Sequence, residues 1–443
     1  MIAVIGGGPA GSFFAHFARQ WAEKKDIELT VTIFDGKDFL ERGPRGCNLC
    51  AGVIASGLEE RLEEEGLVLP ESRVLSRLEG YTLHFGEETL NLAPPRTRKK
   101  SIATVFRGNG PRYSRFPEAV SFDDYLLSWA QDSGARVIPC PVQKIIVPSS
   151  SSKKAAVVFG ERNSLASLEA DLVVGAFGVN TFLMGEVEKL GFGYRPPRTL
   201  RTFQAEFNLG AEEIKTRFGN NIHVYLSPSR TIRYATAVPK GNFLTVTVAG
   251  KKDISPFLLQ EFFILHPLGK TLPRSQLQCF CFPRISISAA RRPFFHRLVL
   301  VGDASFSRHY KNGIESAFLT ARLAAEAVFE RGVDDRSLAE AYFRPARALI
   351  VRDNLFGRLL FRINDIISSV PPLALAHMSL ASSPRFPRAA AEIRHILWDM
   401  FTGDTAYRDI FRRVLSLRLQ TALLPHTIKV LSQRAARLLS RSY

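Results

Sequence analysis

The spacing of apolar residues predicts a different kind of secondary structure in each part of the chain. At the N-terminus a short apolar run ends at Ile5, apolar positions at helical spacing follow from Phe13 to Trp21, and a second apolar run precedes Asp35. This order predicts a buried strand, a helix and another strand. Between 201 and 285 apolar and polar residues alternate, which is typical of half-buried antiparallel strands.

A second strand–helix pattern lies near residue 300. The run LVLV at 298–301 is of the same type as the N-terminal strands, and the segment that follows places Ile314, Phe318 and Ala321 on one helical face, with Gly332 past its end. Helical patterns dominate from there onward. A chain of 443 residues is too long for one ordinary core, and we expect this late strand to complete the first sheet.

We therefore predict an α/β protein with a discontinuous Rossmann-type domain, an antiparallel β-sheet domain that binds the substrate, and a helical C-terminal region. The predicted boundaries are 1–75, 119–200 and 286–345 for the Rossmann-type domain, 76–118 and 201–285 for the sheet domain, and 346–443 for the helical region.

The first predicted strand runs into a glycine loop of the form G-x-G-x-x-G. The first glycine permits a tight turn, the second lets the backbone approach a pyrophosphate, and the third lets helix and strand pack closely. The N–H groups at the start of the helix then face the phosphates. The loop predicts a bound dinucleotide, held by Gly6, Gly8, Pro9, Ala10 and Gly11.

Two carboxylates extend this predicted site. Asp35 ends the next strand, where a carboxylate binds the adenosine ribose hydroxyls. Asp303 follows Gly302 at the end of the late strand, and the helix predicted from Gly313 and Ile314 adds a second helix N-terminus. A bound flavin would use Asp303 and this helix N-terminus. Its ribityl hydroxyls bind an acid, and a helix N-terminus stabilises negative charge on the reduced ring. The predicted cofactor is therefore FAD, bound by the glycine loop together with Asp35, Gly302, Asp303, Gly313 and Ile314.

With these motifs the sequence resembles FAD enzymes of the p-hydroxybenzoate hydroxylase fold and, among them, the geranylgeranyl reductase family. The resemblance covers most of the chain and rests on IGGGPAG, on CAGV at 50–53, on YATAVPK at 234–240, on LVGDAS with NGIESAF, and on WDMFTGD at 398–404. It implies reduction of carbon–carbon double bonds in an isoprenoid or another hydrophobic, lipid-like substrate. It also implies an outside electron donor, either NAD(P)H or a ferredoxin-like protein, and it makes Cys50 and Tyr234 the candidate catalytic residues.

Some positions differ from the family patterns. Thr236 and Val238 replace two aromatic residues of the middle motif, while Tyr234 and Lys240 match it. In GAFGVN, Phe177 stands where the related hydroxylases carry an acid, which argues against aromatic hydroxylation. A flavin-dependent monooxygenase or halogenase is the alternative function.

Three polar residues of the predicted sheet have two interpretations each. Gln204 and Glu206 face either the substrate cavity or solvent. Lys240 belongs either to the site or to the surface.

Four of the five cysteines form two close pairs, Cys47 with Cys50 and Cys279 with Cys281. A metal or iron–sulfur site, a redox disulfide at 47/50, and small apolar side chains are the alternatives. We predict no metal site, because the pairs fall in different predicted domains. An odd number of cysteines favours a reducing compartment and hence a cytoplasmic protein.

The net charge of +17 favours acidic partners. Residues 341–443 contain 16 lysines and arginines and only 6 acidic residues, and 427–441 has the pattern of a basic amphipathic helix that either binds an anionic membrane surface or packs on the core.

Residues 366–384 carry no charged side chain but contain a Pro-Pro pair, which argues against a spanning helix and leaves a surface-dipping segment open. A peripheral position at the inner face of the membrane is therefore an alternative. A basic RNA-binding flavoprotein is a further alternative, although no RNA-binding motif is present and nucleic acid is not an expected partner.

Overall fold

The computed structural model describes residues 1–95, 101–148, 153–161, 163–229, 231–310 and 313–439. Its strands, in chain order, are β1 Ile2–Ile5, β2 Val31–Phe34, β3 Val53–Ile54, β4 Ser76–Leu78, β5 Gly80–Phe85, β6 Glu88–Leu92, β7 Ile102–Thr104, β8 Arg136–Ile138, β9 Val142–Ile146, β10 Ala155–Glu161, β11 Ser164–Ala170, β12 Leu172–Gly175, β13 Thr199–Arg201, β14 Phe203–Asn208, β15 Asn221–Leu226, β16 Ile232–Lys240, β17 Phe243–Gly250, β18 Leu277–Cys281, β19 Arg284–Ser286, β20 Phe294–Phe295 and β21 Leu298–Leu300.

The helices are α1 Pro9–Lys24, α2 Ser56–Glu64, α3 Phe122–Asp132, α4 Leu183–Lys189, α5 Ala211–Phe218, α6 Pro256–Leu265, α7 Pro267–Lys270, α8 Gly313–Arg331, α9 Asp335–Leu338, α10 Arg344–Ala346, α11 Asp353–Ser369, α12 Pro371–Ala381, α13 Pro387–Thr402, α14 Tyr407–Val414 and α15 Leu417–Leu439. From α9 to α11 the helix is continuous through two π-helical segments, Ala339–Phe343 and Arg347–Val351. They flank Pro345, which has no N–H to donate to the helix.

The first sheet has the strand order β20-β21-β12-β1-β2-β8 and is parallel except for β20. Its central strands are short apolar runs buried on both faces, because α1 and α8 cover one face and β9 to β11 with α4 cover the other. On one face α1 packs against α8, with Phe13 and Phe17 each edge-to-face against Phe318 at 5.4 and 5.3 Å. The predicted Rossmann-type fold, completed by a late strand, is confirmed.

The second large sheet has the order β18-β14-β17-β16-β15-β5-β6. It is antiparallel except that β15 runs parallel to β5, with His223 opposite Thr82. Those two strands are joined by a long excursion through the first domain rather than by a hairpin, so a parallel pairing is open to them. One face packs Phe207 and Val246 against α5 to α7.

Helices α11 to α15 cover the other face of this sheet. Leu83 and Ile222 of the sheet pack with Leu360, Ile393 and Trp398 of the helices. Three smaller sheets, β11-β10-β9, β3-β7-β4 and β13-β19, are also present among the described residues. Among the described helices, none meets the length and hydropathy of a membrane span by itself, whereas the segment 335–369 and α12 together do, with a bend of 107° between them.

Tyr407 fixes α14 onto α11 and onto the loop after β21. Its fully buried ring lies against Gly357, and its hydroxyl donates a hydrogen bond to the backbone oxygen of His309 at 2.6 Å. A glycine at position 357 leaves room for the ring.

Replacing Gly357 by alanine should destabilise the protein, because the new methyl group would lie 2.6 Å from Cδ2 of Tyr407. Overpacking of this kind costs about 1–3 kcal/mol. Gly185→Ala is the matched control, since a Cβ there meets no described atom within 4 Å, and it should be neutral or stabilising by up to about 1 kcal/mol. Urea denaturation compares the variants, and an unfolding free energy of Gly357→Ala equal to that of the wild type would contradict this packing.

Candidate active site

The glycine loop between β1 and α1 has the geometry that its sequence predicts. Gly6 adopts a φ of +104°, and its N–H donates to the oxygen of Phe34 in the neighbouring strand at 2.8 Å. A methyl group on Gly11 would overlap the Gly6 oxygen, so only glycine fits there. Helix α1 begins at Pro9 with no side-chain cap and no acidic residue in its first turn within the described chain. Its positive end is therefore available to an anion.

Asp35 stands beside this loop at the end of β2. Its Oδ2 accepts a hydrogen bond from the Gly7 N–H at 2.7 Å, and its Oδ1 accepts one from the Lys37 N–H at 2.8 Å. Burial raises the pKa of the carboxyl, and these two amides oppose that shift. The carboxylate thus lies next to the loop, where a ribose would be expected.

The loop after β21 meets the glycine loop directly. Gly302 has a φ of +65°, and a methyl group on it would lie 2.9 Å from the Cβ of Ala10. The Gly302 N–H donates to Oγ1 of Thr320 at 2.8 Å, which ties the loop to α8. The strand order explains the contact, because β1 and β21 flank β12 and their carboxyl ends lie on the same edge of the sheet.

Asp303 lies at the beginning of α8. Both of its carboxylate oxygens are 3.6 Å from where a Cβ of Gly313 would be, next to Ile314, and Ser307 donates to its Oδ1 at 2.5 Å. Burial raises the pKa of the Asp303 carboxyl, while Ser307 and the Arg107 cation lower it. The structure therefore brings the predicted residues of the two loops together at one edge of the sheet.

A buried ion pair that the sequence did not reveal lies close to the glycine loop. Arg107 and Asp123 have side chains 7% and 0% exposed, and Arg107 Nη2 donates to Asp123 Oδ2 at 3.0 Å. Asn48 also donates to Asp123, and its own oxygen accepts from Lys37 Nζ at 3.0 Å. A methyl group on Gly8 would lie 2.9 Å from Asn48 Nδ2, so this polar group reaches the glycine loop.

The turn Cys47–Val53 is held in a conformation that few residues adopt. Leu49 has a φ of +54° and Gly52 a φ of +64°, and a methyl group on Gly52 would overlap the oxygen of Val105. Gln204 Nε2 donates to the Cys50 oxygen at 3.1 Å. A leucine in the left-handed region stores strain, which is found most often at functional sites.

The polar residues beneath this turn are buried, so the solvent-exposed interpretation of Gln204, Glu206 and Lys240 is wrong. They are 5%, 8% and 1% exposed, because the Cys47–Val53 turn covers the strand face on which they lie. Thr245 donates to Glu206 Oε2 at 2.7 Å, and Lys240 Nζ lies 4.6 Å from the centre of the Phe106 ring. Burial lowers the pKa of Lys240 and raises that of Glu206, and the opposite charge of each partner counters the shift.

All five cysteines are free thiols. Cys47, Cys279 and Cys281 line one small cavity of about 30 Å³, so the two cysteine pairs approach each other although they come from distant parts of the sequence. Burial raises the pKa of Cys279 to about 11 and also raises that of Cys47. In the described ranges no group of three or more His, Cys, Asp or Glu side chains is arranged to hold a metal ion.

A large apolar cavity of about 690 Å³ lies between the second sheet and the helical region. Its lining includes Ala51 and Val53, which follow Cys50 in the chain, together with Tyr234 and Tyr310. Its two long walls are formed by side chains of the sheet and of helices α11 to α15, among them Leu83, Phe85, Ile222, Thr236, Val238, Phe361, Ile367, Met378, Ile396 and Phe401. Tyr234, Thr236 and Val238 share the cavity face of β16 because side chains alternate along a strand.

Tyr234 and Tyr310 are two phenol side chains that line the cavity. Burial raises the pKa of Tyr234 to about 12 and also raises that of Tyr310, where the Arg233 cation opposes the shift. The Arg233 guanidinium lies 4.7 Å from the centre of the Tyr310 ring and donates to both oxygens of Asp365 at 3.0 and 2.8 Å. The sequence contained no signal for Tyr310 beyond its place before NGIESAF. Cys50 is half-buried beside the cavity and is not among the residues that line it.

The helical region holds the loop that carries Asp303 and Tyr310. Asn354 accepts from the His309 N–H at 2.8 Å and donates to the Ser307 oxygen at 2.9 Å. Arg308 donates to the backbone oxygens of Gly403 and Thr405, at the end of the WDMFTGD motif. Tyr310 has a φ of +59°, so the loop enters the cavity in a conformation that these contacts must maintain.

No protein-family model matches the sequence, and comparison with curated proteins likewise finds no match. Among solved structures, the chain is similar to a geranylgeranyl bacteriochlorophyll reductase-like protein from Thermoplasma acidophilum, with a TM-score of 0.65 and 17% identity over 98% of this chain and 97% of that chain. It is also similar to p-nitrophenol 4-monooxygenase PnpA from Pseudomonas putida, with a TM-score of 0.61 and 16% identity over 93% and 96%. A mutant of the halogenase PltM in complex with FAD gives a TM-score of 0.58 and 14% identity over 98% and 96%. The chain therefore has the fold shared by these flavoenzymes, as the sequence predicted.

Removing the charge of Asp123 should destabilise the protein strongly. Asp123→Asn leaves the Arg107 cation buried without its counter-ion, which costs about 3–5 kcal/mol. Asp124→Asn is the control, because this neighbouring carboxyl is half-buried and forms no salt bridge in the described chain. Chemical denaturation measures both variants, and equal unfolding free energies would show that the Arg107–Asp123 pair does not anchor the site.

Proposed function

We propose that the protein is an FAD-dependent oxidoreductase that reduces carbon–carbon double bonds of an isoprenoid or another hydrophobic, lipid-like compound. The observation that carries this proposal is the apolar cavity of about 690 Å³, whose lining includes Ala51 and Val53 of the turn after Cys50 and Tyr310 of the loop after Asp303. Such a cavity suits a long apolar molecule and offers it few hydrogen-bond partners.

The residues present fit FAD. Gly302 and Ala10 bring the two loops into contact, so one extended molecule is able to meet Asp35 at one end and Asp303 at the other. The start of α1, with Asn48 and Arg107 near it, would hold the pyrophosphate, and Asp303 would hold the ribityl hydroxyls. Bound FAD would supply a centre that donates a hydride to an alkene carbon.

The reaction also needs a proton, which the chain itself must deliver to the other alkene carbon. Tyr234 and Tyr310 are phenols that line the cavity, and a Tyr234 pKa of about 12 keeps its phenol protonated at neutral pH. Tyr234 and Tyr310 are therefore the proposed proton source, in a cavity whose mostly apolar walls limit the access of water. Cys50 remains a candidate proton donor, because it lies in the Cys47–Val53 turn beside the cavity.

A flavin-dependent monooxygenase or halogenase is the second candidate, because the same fold occurs in PnpA and PltM. Phe177, whose ring folds back on Gly175 at the end of β12, and the apolar walls of the cavity favour the reductase. The electron donor is either NAD(P)H or a ferredoxin-like protein.

Turnover in the absence of oxygen distinguishes the reductase from a monooxygenase or halogenase. Protein reconstituted with FAD and reduced with dithionite should be reoxidised without oxygen by a long-chain prenyl compound, and mass spectrometry should show the product heavier by two hydrogen atoms for each double bond reduced. Reoxidation that requires oxygen and gives a hydroxylated or halogenated product would refute the reductase.

The two tyrosines allow a sharper test. Of the variants Tyr310→Phe and Tyr234→Phe, at least one should lower the rate of alkene reduction by about 10²-fold, because it removes the proton donor while the cavity keeps its shape. FAD affinity and the rate of flavin reduction by dithionite should not change. Tyr113→Phe, at a side chain 70% exposed, is the control and should behave as the wild type. If both cavity variants reduce the alkene at the wild-type rate, the proton comes from another group, with Cys50 the next to test.

A further inference from the structure

We propose that the mouth of the apolar cavity is a docking surface for a lipid bilayer that contains anionic lipids. This surface, here called the aliphatic rim, comprises Ile366, Val370, Leu415, Leu417 and Leu424, whose side chains are 44% to 81% exposed. Large aliphatic groups exposed together are uncommon on a protein surface and usually mark an interaction site.

The rim is continuous with the cavity. Ile366 and Leu415 line the cavity and are also 61% and 57% exposed, so the cavity opens where they lie. Gln420 of α15 is likewise exposed and lines the cavity. Leu417 and Leu424 share its face of the helix, because residues three, four and seven apart lie on one side.

The corner between α11 and α12 belongs to the same surface. Helix α11 ends at Ser369 and α12 begins at Pro371, with a bend of 107° between the two segments. Ile366 and Val370 are exposed at this corner, in a stretch without charged side chains. A short apolar corner of this kind is suited to enter the interface of a bilayer without crossing it.

Basic residues flank the rim and favour a negatively charged partner. Arg362 lies one helical turn before Ile366, Arg418 follows Leu417, and both are exposed. No ion pair with an acidic side chain is found for either arginine in the part of the chain that the structure describes. The nearby Asp365 binds Arg233. Cations beside an apolar surface match anionic headgroups above acyl chains.

A second copy of the chain is a less suitable occupant. A symmetric contact through the rim would bring Arg362 and Arg418 of both copies into one interface, where Asp365 of the same helix already binds Arg233. A bilayer, in contrast, is also where a long apolar ligand of the cavity would dissolve.

From the sequence, two segments were candidates for membrane contact: a basic helix at 427–441, which either binds a membrane or packs on the core, and a surface-dipping segment at 366–384. The second includes Ile366 and Val370 of the rim, whereas in the first the side chains 429, 431 and 433–439 and all of 440–443 lie outside the described part.

The experiment measures binding of the purified full-length chain to sedimented vesicles of phosphatidylcholine, with and without phosphatidylglycerol. We expect binding that needs phosphatidylglycerol and weakens as salt increases. The double variant Leu417→Glu/Leu424→Glu should bind about tenfold more weakly, because two apolar side chains outside the cavity lining are replaced by anions. Leu165→Glu/Phe257→Glu is the matched control, with two exposed apolar side chains remote in sequence, and should bind as the wild type.

Thermal denaturation confirms that each variant is folded before binding is compared. Absence of wild-type binding, or equal binding by the rim variant, would overturn the proposal. If the wild type is a dimer and the rim variant is a monomer, the rim is a self-association surface, and this result would also overturn the proposal. The inference rests on the apolar ligand of the proposed function, but its readout involves no turnover, so the two proposals fail separately.

Discussion

The close approach of Gly302 to Ala10 is the constraint on which the candidate site depends. It requires β1 and β21 on either side of β12, a left-handed backbone at Gly302, and no side chain at that position. Because of it, Asp35 and Asp303 lie along one edge of a single sheet although they are separated by most of the chain. A larger residue at either position would force the loops apart.

The helical C-terminal region links this edge to the cavity. Asn354, Gly403 and Thr405 hold the loop from Asp303 to Tyr310, while neighbouring residues of the same helices form a wall of the cavity. The same packing therefore positions the proposed cofactor loop and shapes the space for the substrate. The Arg107–Asp123 pair, buried close to the glycine loop, gives the arrangement an electrostatic anchor that is costly to break.

The local parts of the site were predictable from sequence. The strand, glycine turn and helix at the N-terminus, the acid at 35, and a helix from Gly313 that ends before Gly332 follow from short-range rules of periodicity and capping. The domain boundaries and the roles of the named site residues remain predictions. The family resemblance pointed to Tyr234, and the structure places it on the cavity wall.

The remaining features depend on contacts between distant segments. Alternation along β14 and β16 indicates that one face of these strands is covered, but it does not show which segment covers it. The burial of Gln204, Glu206 and Lys240 beneath the Cys47–Val53 turn could therefore not be predicted. The cavity exists only because helices from the last quarter of the chain cover a sheet built earlier. Tyr310 enters it through a left-handed backbone that propensity alone would not assign to tyrosine.

The central claim is that one FAD molecule contacts both loops, and calorimetric titration of the apoprotein with FAD and with ADP tests it most directly. The account predicts one FAD per chain, weaker binding of both ligands by about tenfold or more in Asp35→Ala, and weaker binding of FAD alone in Asp303→Ala. Unchanged FAD affinity in Asp303→Ala, or equal losses of FAD and ADP affinity in that variant, would contradict it.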